Sequence, residues 1–169
     1  MKLVVAVDKE WGIGYNGGLL AAVKDDLAHF RELTVGKTVI LGSTTLKTFP
    51  GGRPLKNRKN IILSRRADFQ PEGALVLSSV EALIDYTRSH PEEDYVVIGG
   101  ASIYKQLLPY CDTAYVTLFE ENFTKDTYFP DLDADARWTC VSLGPVQYST
   151  KETDTIDGMA YRFAEYRRV

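Results

Sequence analysis

The sequence predicts an α/β fold: a central mixed, mostly parallel sheet of about eight strands, flanked by about four helices. Three observations predict it. Short, branched, nearly continuous apolar runs recur at residues 3–7, 38–41, 60–63, 74–77 and 95–98, the texture of strands buried on both faces of a parallel sheet. Stretches with helical spacing separate them. After Pro109 come runs at 114–119, 138–143 and 160–167 with no good helix between them, so the sheet is expected to finish in antiparallel strands.

In chain order, the run 3–7 ends at Asp8 and is too short for a signal peptide or a membrane span. Gly12-Ile13-Gly14-Tyr15-Asn16-Gly17 then matches G-x-G-x-x-G to the letter. As a dinucleotide fingerprint it is poor: Asp8 to Trp11 separate it from the strand, and Gly17-Gly18 break the helix that should open there. It reads better as a flexible loop over a cleft. A helix over 25–33 follows. The strand 38–41 runs through Gly42 into Ser43-Thr44-Thr45, which open a helix with capping hydroxyls. Residues 51–54, Gly-Gly-Arg-Pro, are the most loop-like of the chain. Val80, Leu83, Ile84 and Thr87 have helical spacing within a helix over 79–87. Finally, the strand 95–98 turns at Gly99-Gly100 into Ala101-Ser102 and a helix to 108.

The two strand–glycine–helix passages carry a possible function. Each helix start offers unpaired backbone N–H groups and a positive dipole end, and two such ends at one sheet edge can grip a diphosphate from both sides. Taken singly, each reads more simply as a tight connection with an N-cap.

With 169 residues, 44% of them hydrophobic and 25% charged, the chain suits one globular domain over 1–169, large enough to hold a core and a cleft. A net charge of −3 excludes a strong nucleic-acid footprint, and Arg65-Arg66 and Arg167-Arg168 read as solvated surface charge. Cys111 and Cys140 are isolated, which suggests a reducing compartment, the cytoplasm, rather than a disulfide framework. His29 and His90, the only histidines, have no ligand-like neighbours, so neither a metal site nor a histidine triad is expected.

Asp26 is the most informative single residue. On the helix over 25–33, Lys24, Asp25, His29, Arg31 and Glu32 form a polar arc, while Leu27, Phe30 and Leu33 form an apolar stripe. Asp26 falls within about 40° of both Phe30 and Leu33 and so points along that stripe. Asp25 faces outward and is placed to pair with His29. On the helix alone, Asp26 is equally a first-turn acid stabilised by the dipole or a functional carboxylate that must find hydrogen bonds or keep its proton.

Taken together, the motifs resemble the dihydrofolate reductase family along essentially the whole chain. They are Ala6-Val7-Asp8, Gly12-Ile13-Gly14 with Asn16-Gly17, Asp26-Leu27 with Phe30 and Thr34, and Val39-Ile40-Leu41-Gly42 with Thr45. Further on come Gly52-Arg53-Pro54-Leu55, residues 58–64, Val97-Ile98-Gly99-Gly100 with Tyr104, Thr117, and Asp126-Thr127 before Phe129-Pro130.

The resemblance implies an eight-stranded mixed sheet, dihydrofolate as substrate, NADPH as cofactor, and hydride transfer to pterin C6 by a monomer with no nucleic-acid or membrane partner. It implies that Asp26 is the catalytic, pterin-binding carboxylate with the Thr117 hydroxyl as its partner. Val4, Val5, Ala6, Leu27, Phe30, Phe49, Leu55, Ile98 and Tyr104 are implied around the substrate, and Arg58 on the α-carboxylate of its glutamate tail. For the cofactor it implies Ala6, Ile13, Gly14, Asn16 and Gly17; Gly42, Ser43, Thr44 and Thr45; Leu63, Ser64 and Arg65; and Ile98, Gly99, Gly100, Ala101, Ser102, Ile103 and Tyr104. The Gly99–Gly100 turn is usually a cis peptide in this family.

Some positions depart from the pattern. Leu19-Leu20-Ala21 stands where the family usually has Leu-Pro-Trp, which suggests a roomier, wetter pocket beside Asp26. Lys24 replaces a common proline. Ser43 stands where an arginine often contacts the cofactor's 2′-phosphate, a contact that Ser64-Arg65 can supply instead, and Ser102 stands where some members carry arginine. Two other readings stand beside this one. A related reductase of riboflavin synthesis shares the fold but lacks the acid on this helix, and a non-catalytic folate- or nucleotide-binding protein would explain the lost tryptophan.

Overall fold

The computed structural model describes all 169 residues. In chain order its elements are β1 (Lys2–Val7), β2 (Gly12–Gly14), α1 (Lys24–Thr34), β3 (Thr38–Gly42), α2 (Ser43–Leu46), β4 (Lys59–Leu63), β5 (Leu75–Leu77), α3 (Val80–Ser89), β6 (Tyr95–Gly99), α4 (Ala101–Leu107), β7 (Thr113–Phe119), β8 (Thr127–Tyr128), β9 (Trp138–Leu143), β10 (Gln147–Tyr148) and β11 (Ala160–Arg168). They fall into two compact units, Met1 with Thr34–Tyr110, and Lys2–Leu33 with Cys111–Val169.

The first unit holds the parallel strands β6, β3, β4 and β5, in that order. Val39, Ile40, Leu41, Ile61 and Ile62 are wholly buried, as expected of strands covered on both faces. In the second unit, β7 lies between β1, parallel to it, and β11, antiparallel to it. Both β9 and β10 pair antiparallel with β11, β10 at its start and β9 at its end. They share one edge of that strand, so each unit has four strand positions and the expected total of eight is met. Of the strands after Pro109, β9 to β11 pair antiparallel as expected, whereas β7 also runs parallel to β1.

Local differences have physical causes. Helix α1 exceeds its expected span by one residue at each end. Its apolar stripe is not core: Leu27 is 52% exposed, and Phe30 and Leu33 are half-buried. Helix α2 is a single turn whose N-cap is Gly42, with no side-chain cap, so the expected hydroxyl capping is absent. Around residue 51 the chain makes a short 3-10 turn at Pro50–Gly52.

Candidate active site

The second unit assembles the acid and its surroundings. Ala6 of β1 pairs in register with Thr117 of β7, which pairs in turn with Phe163 of β11. Helix α1 crosses this row with residues one turn apart. The Thr117 hydroxyl donates to Asp26 Oδ1 at 2.6 Å, and the His29 ring stacks on Phe163 with centroids 4.0 Å apart. Burial raises the Asp26 carboxyl above its ordinary value, while the Thr117 hydrogen bond and the His29 charge oppose the rise without cancelling it. The expected pairing of Asp25 with His29 is not found. The Tyr161 hydroxyl donates to Asp25 at 3.5 Å, and the aromatic wall of β11 draws the imidazole away. Thr117→Val, which keeps the shape and removes the donor, is therefore expected to push the Asp26 carboxyl higher still. Carboxyl-carbon NMR titration measures that shift.

Segments with no signal in the sequence hold the start of α1. Lys24, where the family commonly has proline, uses the N–H that proline lacks: it donates to Asp154 Oδ1 at 2.8 Å. Ala22 N–H donates to Thr155 Oγ1, and Thr155 N–H donates to the Ala22 carbonyl. The loop over 150–158 thus caps the helix that carries Asp26, a long-range partnership that local patterning does not encode. Ala21, where the family usually has tryptophan, packs against a cluster that includes Phe119, Phe123, Tyr161 and Phe163.

The glycine-rich segment has more order than a loop. Gly12–Gly14 is a short strand paired with β8. Tyr15 and Gly18 exchange both backbone hydrogen bonds around Asn16 and Gly17, at φ 51° and 81°. That is a type I′ hairpin, whose two positive φ angles favour Asn-Gly. Asp126 Oδ2 accepts from Asn16 N–H at 2.9 Å. At the base of the segment, Asp8 accepts from the N–H groups of Glu10, Gly12 and Phe123 and from Lys125 Nζ at 2.7 Å. The Asp8 side chain is 0% exposed and that of Lys125 6%. Burial alone would raise the Asp8 carboxyl; Lys125 and the three N–H donors overcome it and hold the group below its ordinary value. Ile13, Gly14, Asn16 and Gly17 all sit on this clamped hairpin.

The first unit brings the two helix starts together. Strands β3 and β6 are parallel neighbours, so α2 and α4 begin at the same sheet edge. A Cβ on Gly42 would stand 3.0 Å from Ile103 Cγ1, and one on Gly100 would stand 3.1 Å from Thr45 Oγ1. The Gly99–Gly100 peptide is cis. These glycines leave a cradle that a Cβ would fill, which fits the close backbone approach of a nucleotide diphosphate. Beside it is a pocket of about 450 Å³ lined by Leu63, Ser64, Arg65, Ser102 and Ile103, all expected from the sequence. Ser78, Ser79, Glu81 and Gln106 also line it and were not expected, because nothing local ties the start of α3 to a ligand.

Leu55 and Arg58 are placed by a residue with no assigned role. Asn60, buried in β4, accepts from Leu55 N–H and donates to the carbonyls of Leu55 and Arg58. Arg58 Nε donates to the Lys56 carbonyl at 2.8 Å and Nη1 to Thr34 Oγ1 at 3.3 Å. Phe49 is half-buried after α2, Tyr104 is buried in α4, and Val4 and Val5 are buried in β1. Ser43 and Thr44 open α2, but neither lines the pocket.

A family model described as Dihydrofolate reductase matches residues 1–168. The Dihydrofolate reductase of Bacillus subtilis is 37% identical over 142 residues, covering 84% of this chain and 82% of the relative. That of Mycobacterium leprae is 36% identical over 157 residues, covering 92% and 90%. Among solved structures, a dihydrofolate reductase from Enterococcus faecalis complexed with NADP(H) and RAB-propyl superposes with a TM-score of 0.85 at 34% identity, covering 99% of this chain and 95% of that one.

Proposed function

The chain belongs to the dihydrofolate reductase family, and from that premise we propose which of its residues carry the reaction. The enzyme reduces 7,8-dihydrofolate to 5,6,7,8-tetrahydrofolate with NADPH. The other two readings, a riboflavin-pathway reductase and a non-catalytic binder, are not favoured.

Asp26 is the catalytic carboxylate. The observation that carries this is its position: a desolvated acid on an apolar helix face, bonded to Thr117. It holds the pterin through its 2-amino group and N3 and favours the form protonated at N5, with solvent delivering that proton. When bound, NADPH supplies the hydride that C6 receives. Leu27, Phe30, Phe49, Leu55, Ile98 and Tyr104 wall the rings, and with Val4, Val5 and Ala6 they exclude water and fix the approach, from which much of the rate comes. Ile13, Gly14, Asn16 and Gly17 hold one end of the cofactor, along with Ala6. Gly42 to Thr45 and Ile98 to Tyr104 hold its diphosphate, and Leu63, Ser64 and Arg65 its adenosine end. The glycine cradle and the polar pocket support this division.

Arg58 takes the tail α-carboxylate as a two-pronged pair that lysine imitates poorly. Arg58→Lys is expected to raise KM for dihydrofolate by about tenfold or more, with kcat little changed. A pterin substrate without the glutamate tail should show no such difference.

Residues 1–169 act as one monomeric domain in the cytoplasm, a reading supported by free thiols at Cys111 and Cys140. No helix is long and apolar enough to cross a membrane. The test of the activity is NADPH oxidation on addition of dihydrofolate. Consumption that depends on both is expected; no consumption of NADPH or NADH would contradict the assignment.

A further inference from the structure

The pocket beside the glycine cradle carries an unusual charge balance for a 2′-phosphate. Arg65 is the only cation among its lining residues and Glu81 the only anion. Neither forms an ion pair, whereas the adjacent Arg66 is committed to Asp68 and lies over the Phe69 ring. The other polar groups are neutral and partly engaged. Ser79 Oγ accepts from Ala82 N–H as the N-cap of α3, and Ser102 Oγ accepts from Gln106 Nε2.

We propose that Glu81, which lines this pocket together with Arg65, limits how strongly the enzyme distinguishes a 2′-phosphorylated cofactor from one with a free 2′-hydroxyl. A phosphate entering the pocket gains one guanidinium partner but meets an uncompensated carboxylate. That carboxylate lies in the first turn of α3, where its own charge already uses the favourable end of the helix dipole. A free ribose hydroxyl meets no such repulsion, and Glu81 and the serines can accept from it. The chain therefore binds NADPH with a preference over NADH that rests on Arg65 and is reduced by Glu81.

This inference rests on the assignment of the pocket to the cofactor's adenosine end. It is tested by calorimetric titration of the whole protein with adenosine 2′,5′-bisphosphate and with 5′-AMP, which differ only in the 2′-phosphate. Arg65→Gln is expected to weaken the bisphosphate about tenfold and Glu81→Gln to strengthen it several-fold, with 5′-AMP shifting by less than about twofold in either variant. Thermal unfolding of both variants guards against a merely structural effect, and Glu81→Gln should lose only the small dipole contribution.

Two results would overturn the proposal: unchanged bisphosphate affinity in Glu81→Gln, or an equal gain for both nucleotides. Failure of both nucleotides to bind a protein that still binds NADPH would instead remove the pocket assignment on which it rests. The reductase reading has its own separate test in dihydrofolate-dependent NADPH oxidation.

Discussion

Asp26→Asn lowers kcat/KM for dihydrofolate at neutral pH by about 10²–10⁴-fold, the range for loss of an essential acid–base group. Asparagine keeps an acceptor for the Thr117 hydroxyl but cannot carry the charge that favours a protonated pterin. The same variant is expected to be more stable than the parent. Burial raises the Asp26 carboxyl in the folded protein, so the fold binds that proton more tightly than the unfolded chain does. Stability from this group is therefore highest at low pH and falls as pH rises from the ordinary aspartate value of about 4 to the raised folded value. Above both values the full cost remains, and asparagine removes it. Thermal unfolding at neutral pH should show a higher midpoint for Asp26→Asn, and unfolding at low pH should show little difference.

Asp8→Asn has the opposite sign. This carboxylate is buried and held below its ordinary value by Lys125 and three backbone N–H groups. Its contribution is fully present above about pH 4 and is lost as pH falls through the depressed folded value. Asparagine removes one of the two carboxylates that hold Lys125, leaving the ammonium with Glu10 and the Phe123 carbonyl, and cuts the number of acceptor lone pairs for the three N–H donors. The expected cost at neutral pH is about 1–3 kcal/mol, that of leaving buried hydrogen-bonding groups short of an acceptor. Denaturant unfolding at neutral and acid pH measures it, with the gap between parent and variant closing in acid. Because the clamp anchors the Gly12–Gly18 hairpin, KM for NADPH should rise as well.

Features of the fold and site with local causes are legible in the sequence. Continuous branched runs locate β1, β3, β4 and β6, because burial on both faces leaves no alternation to misread; β5 shares the texture but is only half-buried. Asp26 stood out because helical spacing put it beside Phe30 and Leu33. The stripe of Leu27, Phe30 and Leu33 is nevertheless not a buried one: Leu27 is largely exposed, and periodicity alone does not tell an exposed apolar face from core.

The Asn16-Gly17 hairpin was written in the sequence as a turn signal but was masked by the more familiar glycine motif. The capping of α1 by Asp154 and the presence of Glu81 in the same pocket as Arg65 depend on residues far apart in the chain or on how a whole unit packs. No local propensity encodes them. The family resemblance implies roles for individual residues and the Thr117 partner of Asp26, but not the loop over 150–158 that caps α1.

The most direct test of Asp26 as the working carboxylate is the pH dependence of kcat/KM for dihydrofolate in the parent enzyme and in Asp26→Asn. The parent should show a titration displaced upward from an ordinary aspartate. The variant should lose it, recovering activity only toward acid pH, where the pterin is already protonated in solution. An Asp26→Asn enzyme with the parent's turnover at neutral pH and an unchanged profile would contradict the assignment.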